Sequence, residues 1–171
     1  MTSGAPDGLQ RLWTPYRMAY ITGERDDGRH REEGCPFCAM REPRDGDLVV
    51  HRGESVFAVL NLHPYNPGHL MVLPYRHVGD LEGLTEEESL EMSAMTTAAV
   101  RTLRAVSAPD ALNIGLNLGA AAGGSLSAHL HQHVVPRWVG DANFITVIGG
   151  TKTLPQLLED TCELLRGAWV A

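Results

Sequence analysis

The sequence predicts an α+β fold with a mainly antiparallel sheet. Short runs rich in Val, Leu and Ile recur with Gly, Pro or Asn between them. Only two stretches carry helical periodicity, and strands and helices do not alternate strictly. A doubly wound parallel sheet requires that alternation, so the clustering of strands favours antiparallel pairing.

Taken in order, residues 1–10 read as a loose terminus and Leu12 to Tyr20 as an arm with aromatic surface. Residues 23–33 are charged and solvated, so residues 1–34 form an arm and linker ahead of a core at 35–138. Strand runs are expected at 47–51, 56–61, 69–74, 112–118, 129–135 and 144–148. The first helix starts at Thr85, where Thr85-Glu86-Glu87-Glu88 fits a capping box, and stops before Pro109. Its apolar stripe is Met92, Met95, Ala99, Leu103 and Val106. The second begins near Thr153 and Pro155, with Leu158, Cys162, Leu165 and Trp169 on one side. Residues 139–171 thus read as a C-terminal strand and helix packing on the core.

Bulk properties narrow the function. At 171 residues, 43% hydrophobic and 20% charged, the chain suits one soluble domain. No apolar run approaches the ~20 residues of a membrane span, and the first residues lack the pattern of a signal peptide. A cytoplasmic protein without membrane contact is expected. A net charge of −7 argues against nucleic-acid binding, though a local nest of amides and imidazoles can still hold a small anion. Three cysteines make no disulfide framework: Cys35 and Cys38 form a Cys-x-x-Cys pair suited to metal or redox use, and Cys162 reads as core.

The chemistry concentrates in His129-Leu130-His131-Gln132-His133-Val134-Val135. On a strand, alternate residues share a face, which groups the three imidazoles. A neutral imidazole can attack phosphorus and form a phosphoramidate that a second acceptor breaks. That task needs one aimed histidine, a partner such as a backbone carbonyl to fix its tautomer, and donors for developing negative charge. A His₃ metal site and mutually satisfied core histidines are the competing readings. The preceding run, Asn117 to Ser125, favours phosphate chemistry, because Gly123 and Gly124 permit close backbone approach and Ser125 adds a hydroxyl. Farther upstream, Pro67-Gly68 sets a turn between strands, leaving Asn61 and His69 at the strand mouths where a sugar or phosphate can be held. Arg137 and Lys152 are the nearest downstream cations; both read as solvated charges, with steering of distal phosphates as the alternative.

Asn61…Pro64…Pro67-Gly68-His69, Asn117…Gly123-Gly124-Ser125 and the alternating histidines together resemble the histidine-triad (HIT) superfamily of nucleotidyl hydrolases and transferases, over about residues 35–138. The resemblance implies a HIT-like fold with about five strands and two helices, a homodimer or dimer-based tetramer, and cleavage of a P–O–P or P–N bond beside a nucleoside monophosphate. By position it makes His131 the nucleophile, puts His133 and His69 at the phosphate, Asn61 at the ribose, and Asn117 and Ser125 on phosphate oxygens. It also implies a structural zinc held by Cys35, Cys38, His77 and His129, with His51 and His30 as spare ligands and no organic cofactor.

Gly124 stands where most family hydrolases carry Gln. With the aromatic arm and the segment Gly140 to Gly150, it is similar to actinobacterial diadenosine tetraphosphate phosphorylases, which use phosphate rather than water as acceptor. The small Gly124 then leaves room for that phosphate. The expected partners are a nucleotide and phosphate, and the expected products ATP and ADP. A hydrolase of dinucleoside polyphosphates or nucleoside phosphoramidates is the first alternative, and a zinc-stabilised nucleotide-binding module with little turnover the second.

Overall fold

The computed structural model describes residues 34–123, 126–142, 144–150 and 153–170. Five strands form one sheet: β1 (Val49–Arg52), β2 (Val56–Leu60), β3 (Leu70–Pro74), β4 (Ala111–Leu116) and β5 (Gln132–Arg137). They lie in the order β1-β2-β3-β5-β4, and every neighbouring pair is antiparallel. The helices are α1 (Glu86–Ser107), α2 (Phe144–Gly149) and α3 (Leu158–Gly167).

All five residues of β2 and of β3 are buried, because both faces of these inner strands are covered. On one face Val56, Ala58, Leu60, Leu70, Val72 and Val134 meet Met92, Met95, Ala99 and Leu103 of α1, together with Cys162 and Leu165 of α3. On the other, Phe57, Val59, Met71 and Leu73 pack against Cys35, Phe37 and Val49. Full burial of such a side chain contributes about 1.5–3 kcal/mol, so the alternation fixes which face each strand residue takes. The second layer carries the functional site.

Helix α1 begins as its sequence requires. Thr85 accepts from the Glu88 amide at 3.2 Å, and the Glu88 carboxylate accepts from the Thr85 amide at 2.8 Å. Glu88 also takes a two-pronged bond from Arg76, at 3.0 and 2.7 Å. The stripe is buried at Met92, Met95, Ala99 and Leu103, and partly buried at Val106. The helix ends on Ala108 in left-handed conformation (φ 42°), just ahead of Pro109.

Three expectations are corrected. Residues 144–148 are helical, within α2, and contribute no strand to the sheet. Their β-branched composition is overridden because a lone helical turn closes its own backbone bonds where the segment has no strand neighbour, leaving Phe144 and Ile148 exposed. The C-terminal helix starts at Leu158, after Pro155, rather than near Thr153. It belongs to the main core through Cys162 and Leu165, and Arg166 ties it to β1 by a bond to the Val49 carbonyl (2.7 Å) and to the chain just ahead of β1 by one to the Asp47 carboxylate (2.6 Å). Finally, β5 begins at Gln132, so His129 and His131 precede the strand. Among the described residues no helix is long and apolar enough to cross a membrane.

Candidate active site and metal centre

The turn Asn66-Pro67-Gly68-His69 forms as its residues dictate. Pro67 presets the second position, Gly68 takes φ +77°, and the His69 amide bonds the Asn66 carbonyl at 3.1 Å. The turn delivers His69, fully buried, to the start of β3 beside β5. His133 sits opposite Met71 in the ladder and therefore shares the site face of the sheet.

Hydrogen bonding sets the tautomers. The Tyr65 amide donates to His69 Nδ1 at 3.1 Å, and the Asn61 amide group lies 3.3 Å from the same nitrogen. A backbone N–H can only donate, so His69 carries its proton on Nε2 and gives it to His133 Nδ1 at 2.9 Å. The His133 proton then resides on Nε2, and the Asn117 amide, whose nitrogen lies 3.4 Å away, must turn its oxygen there to accept it. His131 Nδ1 lies 2.7 Å from the His129 carbonyl, which can only accept. The His131 Nε2 lone pair is left free for attack.

Burial keeps these rings neutral. It pushes His69 down to about 3, helped by the neighbouring His133 and His131, and His133 down to about 4, with His131 beside it. His131 is likewise lowered by burial, partly offset by the His129 carbonyl. A neutral imidazole is the nucleophilic form.

The rings face a hollow of about 310 Å³. Its lining mixes apolar Phe37, Met40, Leu60 and Leu62 with polar Asn61, Asn117, His131 and His133. Gly123, at φ +97°, reaches its rim; Gly124 and Ser125 lie outside the described residues, as do Lys152, His30 and the arm at 12–20. Sequence reasoning gave no role to two contributors. Tyr65 fixes His69 through its amide, packs its tilted ring against His69 (4.7 Å) and stacks on His133 (5.8 Å). Phe37 packs against both His129 (5.4 Å) and His131 (5.1 Å). An aromatic beside each motif was the available signal.

The three alternating histidines therefore divide between two sites. His131 and His133 stay together, 5.0 Å between ring centroids, whereas His129 turns to Cys35, Cys38 and His77. His129 and His131 stay in one layer, both packed on Phe37, and their spacing along the chain divides them between the cysteines and the hollow. The four ligand atoms of Cys35, Cys38, His77 and His129 lie within 4.8 Å of one another. His129 Nδ1 is 3.4 Å from Cys35 Sγ and 3.5 Å from Cys38 Sγ, and His77 Nδ1 is 3.3 Å from Cys38 Sγ. Tetrahedral zinc with Zn–S near 2.3 Å and Zn–N near 2.0 Å places sulfur and nitrogen roughly 3.5 Å apart, so the residues fit the ion. His129 Nε2 donates to the Pro74 carbonyl at 2.9 Å, which leaves Nδ1 as the ligand atom. His51 lies elsewhere, stacked on Trp169 at 5.0 Å. Arg137 is not a free charge: it pairs with Asp141 and bonds Asn113.

The model of the HIT domain family matches residues 43–139. The chain is 56% identical over 170 residues to the "AP-4-A phosphorylase" of Mycobacterium tuberculosis H37Rv, spanning 97% of this chain and 87% of that protein. It is 33% identical over 96 residues to the asymmetrical bis(5'-nucleosyl)-tetraphosphatase of Schizosaccharomyces pombe, covering 56% of this chain and 52% of that one. A solved Zn-bound histidine triad family protein from Mycobacterium smegmatis superposes with a TM-score of 0.64 at 30% identity, over 81% of this chain and 94% of that one. Fold, paired histidines and sequence agree: the chain belongs to the HIT family.

Proposed function

We propose that this protein is a phosphorylase of diadenosine tetraphosphate, releasing ATP and ADP. The observation that carries the reading is His131, neutral and held by the His129 carbonyl, at a pocket lined by apolar and polar side chains. The similarity to an AP-4-A phosphorylase over 97% of the chain supports the substrate.

In the mechanism the adenine packs on the apolar side chains of the pocket, Asn61 meets the ribose and the adjacent phosphate sits between His131 and His133. His131 Nε2 attacks that phosphorus and the bond to the bridging oxygen breaks. ATP departs, leaving an adenylyl-histidine. His133 Nε2–H, held in place by His69, donates to a phosphate oxygen as charge develops. Asn117, Gly124 and Ser125 are assigned to the remaining oxygens. Inorganic phosphate then attacks the same phosphorus, restoring His131 and releasing ADP.

Zinc at Cys35, Cys38, His77 and His129 would hold the N-terminal segment against the sheet, and through the His129 carbonyl it would steady the nucleophile. Its role is structural. A homodimer or dimer-based tetramer in the cytoplasm completes the reading; β4 is an edge strand with Ile114 half-exposed, and α2 presents Phe144 and Ile148. Product analysis by ion-exchange chromatography, with and without millimolar phosphate, tests the function. ATP plus ADP only with phosphate establishes the phosphorylase. ATP plus AMP in both tubes makes it a hydrolase, and no turnover favours a binding module.

A further inference from the structure

Asn61 stands opposite His69, one step beyond the paired ends of β2 and β3. Leu60 pairs with Leu70, and the Asn61 amide then donates to the His69 carbonyl at 2.9 Å. Phe57 and Val59 of β2 face the layer that holds the site, so alternation turns Asn61 to that face too. His69 reaches the same face from β3, in line with Met71 and Leu73. Opposed residues share a face, and the two side chains meet there.

The side-chain amide of Asn61 has only one way round. Its Oδ1 accepts from the His63 N–H at 3.0 Å, an Asx turn closed within three residues. A backbone N–H can only donate, so Nδ2 is the atom on the other side, 3.3 Å from His69 Nδ1. That nitrogen therefore receives two donors, Asn61 Nδ2–H and the Tyr65 N–H. The Tyr65 amide is enough to put the His69 proton on Nε2. The Asn61 bond adds a second hold on the ring and polarises it, which strengthens the Nε2–H bond to His133 Nδ1 at 2.9 Å. Asn61 lines the hollow together with His131, and its two side-chain bonds leave it one N–H and one lone pair.

We propose that Asn61 is a positioning residue for the His69–His133 pair, and that the sugar it meets is thereby read in turnover as well as in binding. The inference rests on the phosphorylase reading for the substrate and its ribose. One hydroxyl donating to Oδ1 and its neighbour accepting from Nδ2 match what Asn61 has left. A bond to Oδ1 makes Nδ2–H a stronger donor, and the effect runs through His69 and His133 to the phosphate. A nucleotide without those hydroxyls is then turned over more slowly even at saturation.

Two measurements test the role of Asn61. In ligand-free protein, nitrogen NMR spectra of the imidazole rings are compared for wild type and Asn61→Leu, which removes the amide at similar volume. The His69 Nδ1 resonance should move downfield as it loses a donor, and the His133 Nδ1 resonance should follow. Unmoved resonances in the folded variant overturn the proposal. With diadenosine tetraphosphate, Asn61→Leu should lower kcat about tenfold in the wild-type background, but by no more than about threefold in His69→Gln, where its route is gone. Equal losses of kcat in both backgrounds, or a change confined to KM, overturn it. Should Asn61→Leu not fold, the wild-type protein is given the counterpart of the substrate that lacks the ribose hydroxyls. Its kcat should fall about tenfold, and a loss confined to KM overturns the proposal. Absence of turnover of diadenosine tetraphosphate by wild type instead overturns the functional reading, and the NMR comparison still decides the role of Asn61.

Discussion

Acid should destabilise this protein through His69, and the size of the effect follows from its burial. An imidazole in the unfolded chain titrates near 6.5, while in the folded protein His69 is pushed down to about 3. Above pH 6.5 both states are mostly neutral and the stabilising contribution is fully present. As pH falls through 6.5 the unfolded state takes up a proton that the folded state refuses, so stability declines until about pH 3. Between pH 7.5 and pH 5 the loss from this one group is about 2 kcal/mol. With a urea m-value of about 2 kcal/mol/M, the unfolding midpoint drops by about 1 M on its account. Other groups titrate in the same window, so the assay compares two pH differences. Urea unfolding of wild type and of His69→Gln is measured at pH 7.5 and at pH 5. The variant, with no imidazole at 69, should lose about 2 kcal/mol less than wild type across that interval. An equal loss in both proteins would refute the assignment of a neutral, burial-held His69.

His131→Ala should keep its fold and its nucleotide binding while turnover falls at least about 10³-fold, because it removes the attacking atom; a tenth of wild-type activity would remove His131 from that role. Protein purified without chelator should hold close to one zinc, and stripping it should lower Tm by about 10 °C, taking free zinc at a thousandfold over Kd as about 4 kcal/mol. Chelation that leaves Tm unchanged would count against a structural metal. Gly68→Ala should cost about 1–3 kcal/mol, since φ is +77° there and the new Cβ would stand 3.1 Å from Leu103 Cδ2. Its activity should fall as well, because the turn that positions His69 is distorted; a wild-type melting curve would show that the turn tolerates a side chain.

Helix α1 was legible because cap, stripe and stop signal are local and agree. The turn at Pro67-Gly68 was legible for the same reason, since each residue's backbone preference suits its position. The Phe144 segment was not, because its β-branched residues favour a strand only where a neighbouring strand exists to pair with it. The alternation of His129, His131 and His133 pointed to chemistry without showing its division. Strand periodicity groups the three rings in one layer, and only folding shows that Cys35, Cys38 and His77 meet that layer at the height of His129 rather than of His131.

By itself the sequence determined the fold class, the capped helix, the β-turn and the residue types for phosphorus chemistry, all of which depend on neighbours within a few positions. The tertiary structure alone decided which nitrogen of each imidazole carries a proton. Those choices come from the Tyr65 amide on His69 and, through His69, on His133, and from the His129 carbonyl on His131. It also brought Cys35 and Cys38 to His129, more than ninety positions away, a grouping that the family resemblance implied and local pattern could not show. It set Arg137 against Asp141 and Asn113. Hydrogen-bond direction and burial depend on which distant groups folding brings together, and no local pattern encodes that.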